Sequence, residues 1–316
     1  MTQQASIILC PGQGAQAVGM GRAWYDASAA ARATFDEADA LLVDTLGGKL
    51  SELCFNGPAD RLNMTDVSQP AIYTCSVACY RAMQDAGESI TPAATAGLSL
   101  GEYTALHLAG AFDFAQGLQL VAVRGRYMQD AAEASRGSMV ALIGADDAQA
   151  QQVCDIVVQA APDEILVPAN YNAPGQIVLS GHATACDRAV QVASDMGLRA
   201  TALTVAGAFH SPLMQPAADK MAAALAMVDL KPCSVPVWSN VTAEPHDPKN
   251  MELLRERLVQ QIVSPVKWSQ SCSDIVGSDG FGADIAYHEL APGTVLRGLM
   301  RRIDRNVKVI NHEQPQ

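Results

Sequence analysis

Along this chain, short continuous apolar runs alternate with longer segments of helical spacing, the pattern of strands buried in a sheet between crossover helices. The first run, Ser6–Cys10 (SIILC), is stopped by Pro11 and Gly12 and predicts a buried strand entering the loop PGQGAQAVGMG. Helical patterns follow over Ala29–Leu46 and Gln69–Ala86, and a weaker strand pattern, SITPAATA, spans Ser89–Ala96. After Gly97 the segment LGEYTALHLAG sets Leu100, Tyr103, Ala105, Leu106 and Ala109 on one helical face, and Phe114–Ala134 predicts a further long helix.

From Gly137 the spacing shortens. Strand patterns at Ser138–Ile143, Leu166–Tyr171, Gln176–Ser180 and Arg199–Val205 are interleaved with helical patterns at Ala148–Ala160 and Ala183–Met196. The order β-α-β-β-α-β is that of a ferredoxin-like unit. Beyond Gly207 the mixed pattern resumes, with helices over Leu213–Met227, Met251–Val263 and Val295–Ile303 and strands over Val235–Ser239 and Ile285–Glu289. The expected fold is α/β: residues 1–136 and 207–316 form a large subdomain on a parallel sheet, and residues 137–206 form a small ferredoxin-like subdomain inserted into it.

Composition narrows the function. The 316 residues are 49% hydrophobic, enough for one large core or two smaller ones, and the low aromatic content of 5% suits close helix-on-sheet packing. A net charge of -12 excludes nucleic acid as the main partner, because phosphate binding requires a concentrated basic surface. The eight cysteines include no C-x-x-C pair, so neither a zinc site nor a disulfide framework is expected, and free thiols suit a reducing compartment. The N-terminus lacks a basic leader segment, and no run approaches the ~20 apolar residues of a membrane helix. These features predict a cytoplasmic protein with no membrane partner, and nothing in them requires more than a monomer.

Candidate chemistry begins at Gly97-Leu98-Ser99-Leu100-Gly101. A G-x-S-x-G segment forms a nucleophile elbow when a strand turns sharply into a helix with serine at the apex and glycines relieving the crowding. The alternative is a serine N-cap between two turn glycines. A serine nucleophile needs a base. Of the six histidines, His107 lies two turns along the same helix, His182 follows a strand of the small unit, His246 sits in a polar loop and His312 in the tail. His210 falls in VAGAFHSPLM, where a strand gives way to a helix at Ser211-Pro212, and so can face an elbow; its alternative is a polar residue at the helix start. Arg124 sits in VAVRGRYMQ with Leu120 and Met128 on its own face, a buried position for a cation. It predicts either an anion to bind or a structural ion pair with one of the 33 acidic residues. The loop PGQGAQ only partly matches a dinucleotide fingerprint, with Ala17 in place of its third glycine; an N–H from Gln13 aimed at a reacting oxygen is the better use.

The blocks CPGQGAQAVGMG, GLSLGEYTALHLAGAF, VAVRGRYMQ, NYNAPGQIVLSG, GAFHSPLM, QIVSPVKW and HELAPGTVLRGLMRRI resemble, in order and over essentially the whole chain, the malonyl-CoA:acyl carrier protein transacylases of fatty acid and polyketide synthesis. That resemblance implies an α/β-hydrolase-like large subdomain and ping-pong transfer of malonyl from malonyl-CoA, through an ester on Ser99, to the phosphopantetheine thiol of holo acyl carrier protein. No permanently bound cofactor or metal is implied. His210 would be the base, held by a main-chain carbonyl at Gln261, and Arg124 would pair with the malonyl carboxylate. The N–H groups of Gln13 and Leu100 would form the oxyanion hole. Gln176 and Asn172 would line the cleft, and Phe209 would exclude branched acyl groups. Leu98 departs from the histidine that many members carry before the nucleophile. An acidic carrier needs a basic face, which Arg297, Arg301 and Arg305, recurring at i+4 with Arg302 alongside, would supply on the last helix. The competing functions are a serine thioesterase or esterase, which has no use for a buried arginine, and a non-catalytic scaffold.

Overall fold

In a computed structural model describing residues 4–87, 90–278, 280–282 and 284–315, the first apolar run forms β1 (Gln4–Cys10), a central strand of the larger sheet. Ile8 and Cys10 enter one core while Ile7 and Leu9 enter another, the reason a strand covered on both faces reads as a continuous apolar run. Helices α1 (Arg22–Ala27), α2 (Ala29–Leu46), α3 (Leu50–Asn56), α4 (Ala59–Leu62) and α5 (Thr65–Asp85) lead to β2 (Ile90–Gly97), which pairs parallel to β1. The first residue of the predicted second strand, Ser89, lies outside the described residues. Helices α6 (Gly101–Leu108) and α7 (Phe114–Ser135) follow, the latter opened by a reciprocal Asp113–Gln116 capping box.

The small sheet contains β3 (Gly137–Ile143), β4 (Leu166–Ala173), β5 (Gln176–His182) and β6 (Arg199–Ala202), with α8 (Asp147–Ala160) and α9 (Ala183–Asp195) between them. Its antiparallel strand order, β4-β5-β3-β6, is the ferredoxin-like one. Val140, Leu142, Ile177 and Leu179 face α8 and α9, whereas the alternate residues Met139 and Val178 face the larger body. Both connections between the subdomains are tight. A Cβ on Gly137 would stand 2.5 Å from Ala208 Cβ, and one on Gly207 would stand 2.4 Å from Ala132 Cβ.

The chain then adds a 3-10 turn (Pro212–Met214), α10 (Gln215–Ala226), α11 (Met251–Val263), α12 (Trp268–Gly277), β7 (Ala286–Leu290), α13 (Val295–Ile303) and β8 (Val309–His312). The large sheet is parallel throughout, in the order β2-β1-β7-β8.

Several expectations are corrected. The predicted strand Val235–Ser239 survives only as single bridges, Val237 to Thr95 and Trp238 to Pro245. The predicted helix Gln69–Ala86 starts a turn earlier, at Thr65, because Gln129 Oε1 accepts from the Thr65 N–H (3.0 Å) and Arg61 holds Asp66 (2.7 Å). Pro70 therefore lies inside the helix. The strand expected over Arg199–Val205 stops at Ala202, since the chain leaves the sheet to wall a cavity. His312, expected in a tail, is a buried residue of β8 hydrogen-bonded to His288 (2.8 Å). All eight cysteines are free, and seven of them are buried. No helix among the described residues is long and apolar enough to cross a membrane.

Two glycines at opposite ends of this packing test it. A Cβ on Gly101 would meet the Cys10 carbonyl oxygen at 2.1 Å, so Gly101→Ala should cost ~3 kcal/mol or more and lower Tm sharply. A Cβ on Gly298, inside α13, meets nothing within 4 Å, so Gly298→Ala should add ~0.5–1 kcal/mol through helix propensity alone. Thermal unfolding checks both signs.

Candidate active site

β2 ends at Gly97 and α6 starts at Gly101, which leaves Ser99 at the apex of an abrupt strand-to-helix turn. Its φ of 53° is in the left-handed region, where a residue with a side chain stays only if its surroundings enforce it. A Cβ on Gly97 would come within 1.9 Å of the Gly101 backbone, and one on Gly12 within 2.2 Å of the Leu98 carbonyl oxygen. The glycines thus permit the turn and the close approach of the loop after β1. Polar contacts fix it: the Ser99 N–H donates to Asn240 Oδ1 (2.6 Å), and the Ser99 carbonyl accepts from Gln261 Nε2 (2.9 Å).

His210, also left-handed (φ 58°), sits just before the 3-10 turn, where Ser211 donates to the Ala208 carbonyl (2.7 Å). Its Nδ1 lies 2.8 Å from the Gln261 carbonyl oxygen and its Nε2 2.8 Å from Ser99 Oγ. A carbonyl only accepts, so Nδ1 carries the proton and Nε2 turns its lone pair to the serine hydroxyl. Burial, and then the charge of Arg124, push the His210 pKa down to about 4 against the raising effect of the carbonyl bond. The imidazole is neutral at neutral pH, ready to accept a proton.

Arg124, 1% exposed, donates from Nη1 to Gln69 Oε1 (2.6 Å) and from Nη2 to Gln261 Oε1 (2.8 Å) and Ser99 Oγ (3.2 Å). Its guanidinium carbon lies 5.4 Å from the centre of the Tyr103 ring, and its Nε is buried without a partner. The structural ion pair open in the sequence is not formed, since no carboxylate among the described residues bridges to Arg124. The Leu100 N–H at the start of α6 and the Gln13 N–H in the loop after β1 likewise have no partner among the described residues.

A cavity of about 550 Å³ opens beside Ser99 and His210 between the two subdomains, lined also by Gln13, Phe209, Asn172 and Gln176. The pairing of β4 with β5 shifts register between Pro168 and Asn170, which swings Asn170 and Asn172 to the cavity side of a strand whose Leu166 faces the helices. Val295 and Leu299 of α13 reach the cavity too. Arg297, Arg301 and Arg302 are exposed on that helix. Arg305 corrects the expected stripe: the helix closes at Ile303, with the Asp304 N–H donating to the Met300 carbonyl (2.8 Å), and Arg305 falls in the turn beyond.

Sequence reasoning missed a buried group beneath the elbow. Glu102 accepts from His246 Nε2 (2.7 Å), Gln261 Nε2 (2.7 Å) and the Asn240 N–H (3.1 Å), and Asn240 Nδ2 donates to the Gly97 carbonyl (2.7 Å). His246 does lie in the expected loop, but its side chain is buried against Glu102. The available signal was Glu102 itself, an acid three residues past Ser99 on an apolar helix; Asn240 and Gln69 offered none. Among the described residues no group of three or more His, Cys, Asp or Glu side chains is arranged to hold a metal ion.

A sequence profile of the acyl transferase domain matches residues 7–311. The chain is 41% identical over 310 residues to the malonyl CoA-acyl carrier protein transacylase of Bacillus subtilis, covering 98% of this chain and 93% of that one. The crystal structure of malonyl-CoA:acyl carrier protein transacylase from Xanthomonas oryzae pv. oryzae superimposes with a TM-score of 0.89 at 38% identity, covering 100% of this chain and 96% of that one. A malonyl-transacylase in complex with its type II polyketide synthase (PKS) acyl-carrier protein superimposes equally well, with a TM-score of 0.89 at 36% identity over 98% and 96% of the two chains.

The depressed His210 pKa sets a pH dependence. The imidazole can take the Ser99 proton only when neutral, so the rate of Ser99 sulfonylation by phenylmethylsulfonyl fluoride should rise through about pH 4 and stay flat from pH 5.5 to 8. A tenfold fall between pH 7.5 and 5.5 would place the base near the ordinary histidine value of ~6.5 and contradict this environment.

Proposed function

We infer, for a chain that belongs to the acyl transferase domain family and within it to the malonyl CoA-acyl carrier protein transacylases, that it transfers malonyl from malonyl-CoA to the phosphopantetheine thiol of holo acyl carrier protein. The observation that carries the residue roles is the chain Gln261 carbonyl–His210–Ser99, placed beside a buried arginine that lacks a carboxylate.

In the first half-reaction, Ser99 Oγ attacks the thioester carbonyl carbon while its proton passes to His210 Nε2. The oxygen that gains charge is received by the N–H groups of Gln13 and Leu100, the latter at the positive end of α6. As the tetrahedral intermediate collapses, the C–S bond breaks, coenzyme A leaves with the proton from His210, and malonyl remains as an ester on Ser99. The second half runs in reverse with the carrier thiol: its proton goes to His210, its sulfur attacks the ester, and Ser99 recovers the proton. The malonyl carboxylate takes the place of Ser99 Oγ on Arg124 Nη2 and satisfies the unpaired Nε. Phe209, Asn172 and Gln176 shape the acyl end of the cavity. A carbonyl on Nδ1, where a serine esterase carries an acid, favours the transferase over the hydrolase.

The carrier docks on the exposed face of α13, where Arg297, Arg301 and Arg302 stand beside cavity residues Val295 and Leu299, with Arg305 at its end. We read the enzyme as a cytoplasmic monomer.

Two measurements follow. Brief incubation with malonyl-CoA should give a single malonyl adduct by intact mass, absent in Ser99→Ala and discharged by holo carrier protein. Free malonate accumulating without an adduct would return the hydrolase reading. Reversing Arg301 and Arg302 to Glu should raise KM for the carrier about tenfold more than KM for malonyl-CoA, at roughly 0.7 kcal/mol per lost charge contact. Equal changes in both would remove α13 as the docking face.

A further inference from the structure

Gln69 belongs to α5 and is 0% exposed. It meets Arg124 because α5 and α7 approach closely at two glycines. A Cβ on Gly117 would stand 2.1 Å from Tyr73 Oη, and one on Gly125 would stand 2.5 Å from the Thr65 carbonyl oxygen, so the two α7 glycines let α5 in on either side of Arg124. The Gln69 amide then spans the contact, accepting from Arg124 Nη1 (2.6 Å) and directing Nε2 at Met128 Sδ (3.5 Å). Gln261 Oε1 receives the other terminal nitrogen (2.8 Å). Both terminal nitrogens of the guanidinium are thus held by neutral amide oxygens. Glu102, the acid on the neighbouring α6, accepts its hydrogen bonds from His246, Gln261 and Asn240 and acts on Arg124 only through space.

A carboxylate at position 69 would make the same hydrogen bond with almost the same shape, and a stronger one. It would also cancel the charge of Arg124. A buried cation directly paired with an acid gains little from a second carboxylate, whereas one whose hydrogen bonds all go to neutral groups, with Glu102 acting on it only through space, keeps most of its attraction. We propose that Gln69 is a specificity-determining residue, which orients Arg124 through a neutral amide and so leaves its charge to the incoming acyl carboxylate. On this view the preference for malonyl over acetyl depends on residue 69 being an amide as much as on residue 124 being an arginine. The inference rests on the reading that Arg124 receives the malonyl carboxylate.

The test compares wild type, Gln69→Glu, Gln69→Leu and Arg124→Ala. The acylation rate of Ser99 is followed by intact mass with malonyl-CoA and, separately, with acetyl-CoA, and folding is checked by Tm. Gln69→Glu should lower the malonyl-to-acetyl ratio of kcat/KM by about a hundredfold, towards that of Arg124→Ala, with an unchanged or higher Tm. Gln69→Leu keeps the charge and loses only the orientation, so its ratio should fall by about tenfold. The proposal is overturned if Arg124→Ala loses the preference while Gln69→Glu keeps it. It is equally overturned if Gln69→Glu slows malonyl and acetyl loading by the same factor, the mark of a merely structural role. If Gln69→Glu does not fold, a wild-type ratio in Gln69→Leu overturns it. Arg124→Ala with an undiminished ratio would bring down the carboxylate reading itself, and this inference with it.

Discussion

The backbone and side chain of Gln261 set the relative positions of the groups around the cavity. The carbonyl fixes the tautomer and ring plane of His210, Oε1 holds Arg124, and Nε2 bonds both the Ser99 carbonyl and Glu102. His210, Arg124 and Ser99 are contributed by a loop, by α7 and by the elbow, and no two of them are near in sequence. A single fully buried amide ties them into one geometry, and the Asn240–Glu102–His246 group closes around it from below. Because every polar atom of that amide is engaged, a rotation that improved one contact would break another.

Electrostatically, the site is arranged to be incomplete. Burying a cation beside amides and an aromatic ring, with no acid on it, costs free energy that the fold recovers elsewhere. The same cation discourages protonation of His210, which keeps the imidazole neutral. In the proposed reaction an anionic substrate would repair both conditions together: it would satisfy the arginine and relieve the repulsion felt by an imidazolium formed during transfer.

Much of this was legible in the sequence because its causes are local. The G-x-S-x-G turn and the Ser211-Pro212 junction are short-range features, and the apolar helix around Arg124 carries its anomaly within a few residues. The small sheet was legible from strand and helix spacing. Gln69, Asn240 and His246 were not, since each acquires its meaning only through partners 55, 141 and 144 residues away. The segment Val235–Ser239 has the composition of a strand, yet it finds only single bridges at the sheet edge. Arg305 continued an i+4 spacing, but spacing has no consequence after the helix has ended.

The reaction trades acyl groups between thiols, and the chain holds eight sulfhydryls of its own. Burial raises the pKa of Cys233 to about 11 and of Cys154 and Cys186 to about 12, and raises those of Cys10, Cys54, Cys75 and Cys272 as well. Cys79 is enclosed next to the His312 carbonyl oxygen. No resident sulfur is therefore both accessible and ionised enough to intercept a thioester or to form a mixed disulfide with coenzyme A. The interior works as chemical insulation: in a reaction whose donor and acceptor are both thiols, the protein keeps its own thiols largely buried and protonated, out of the exchange.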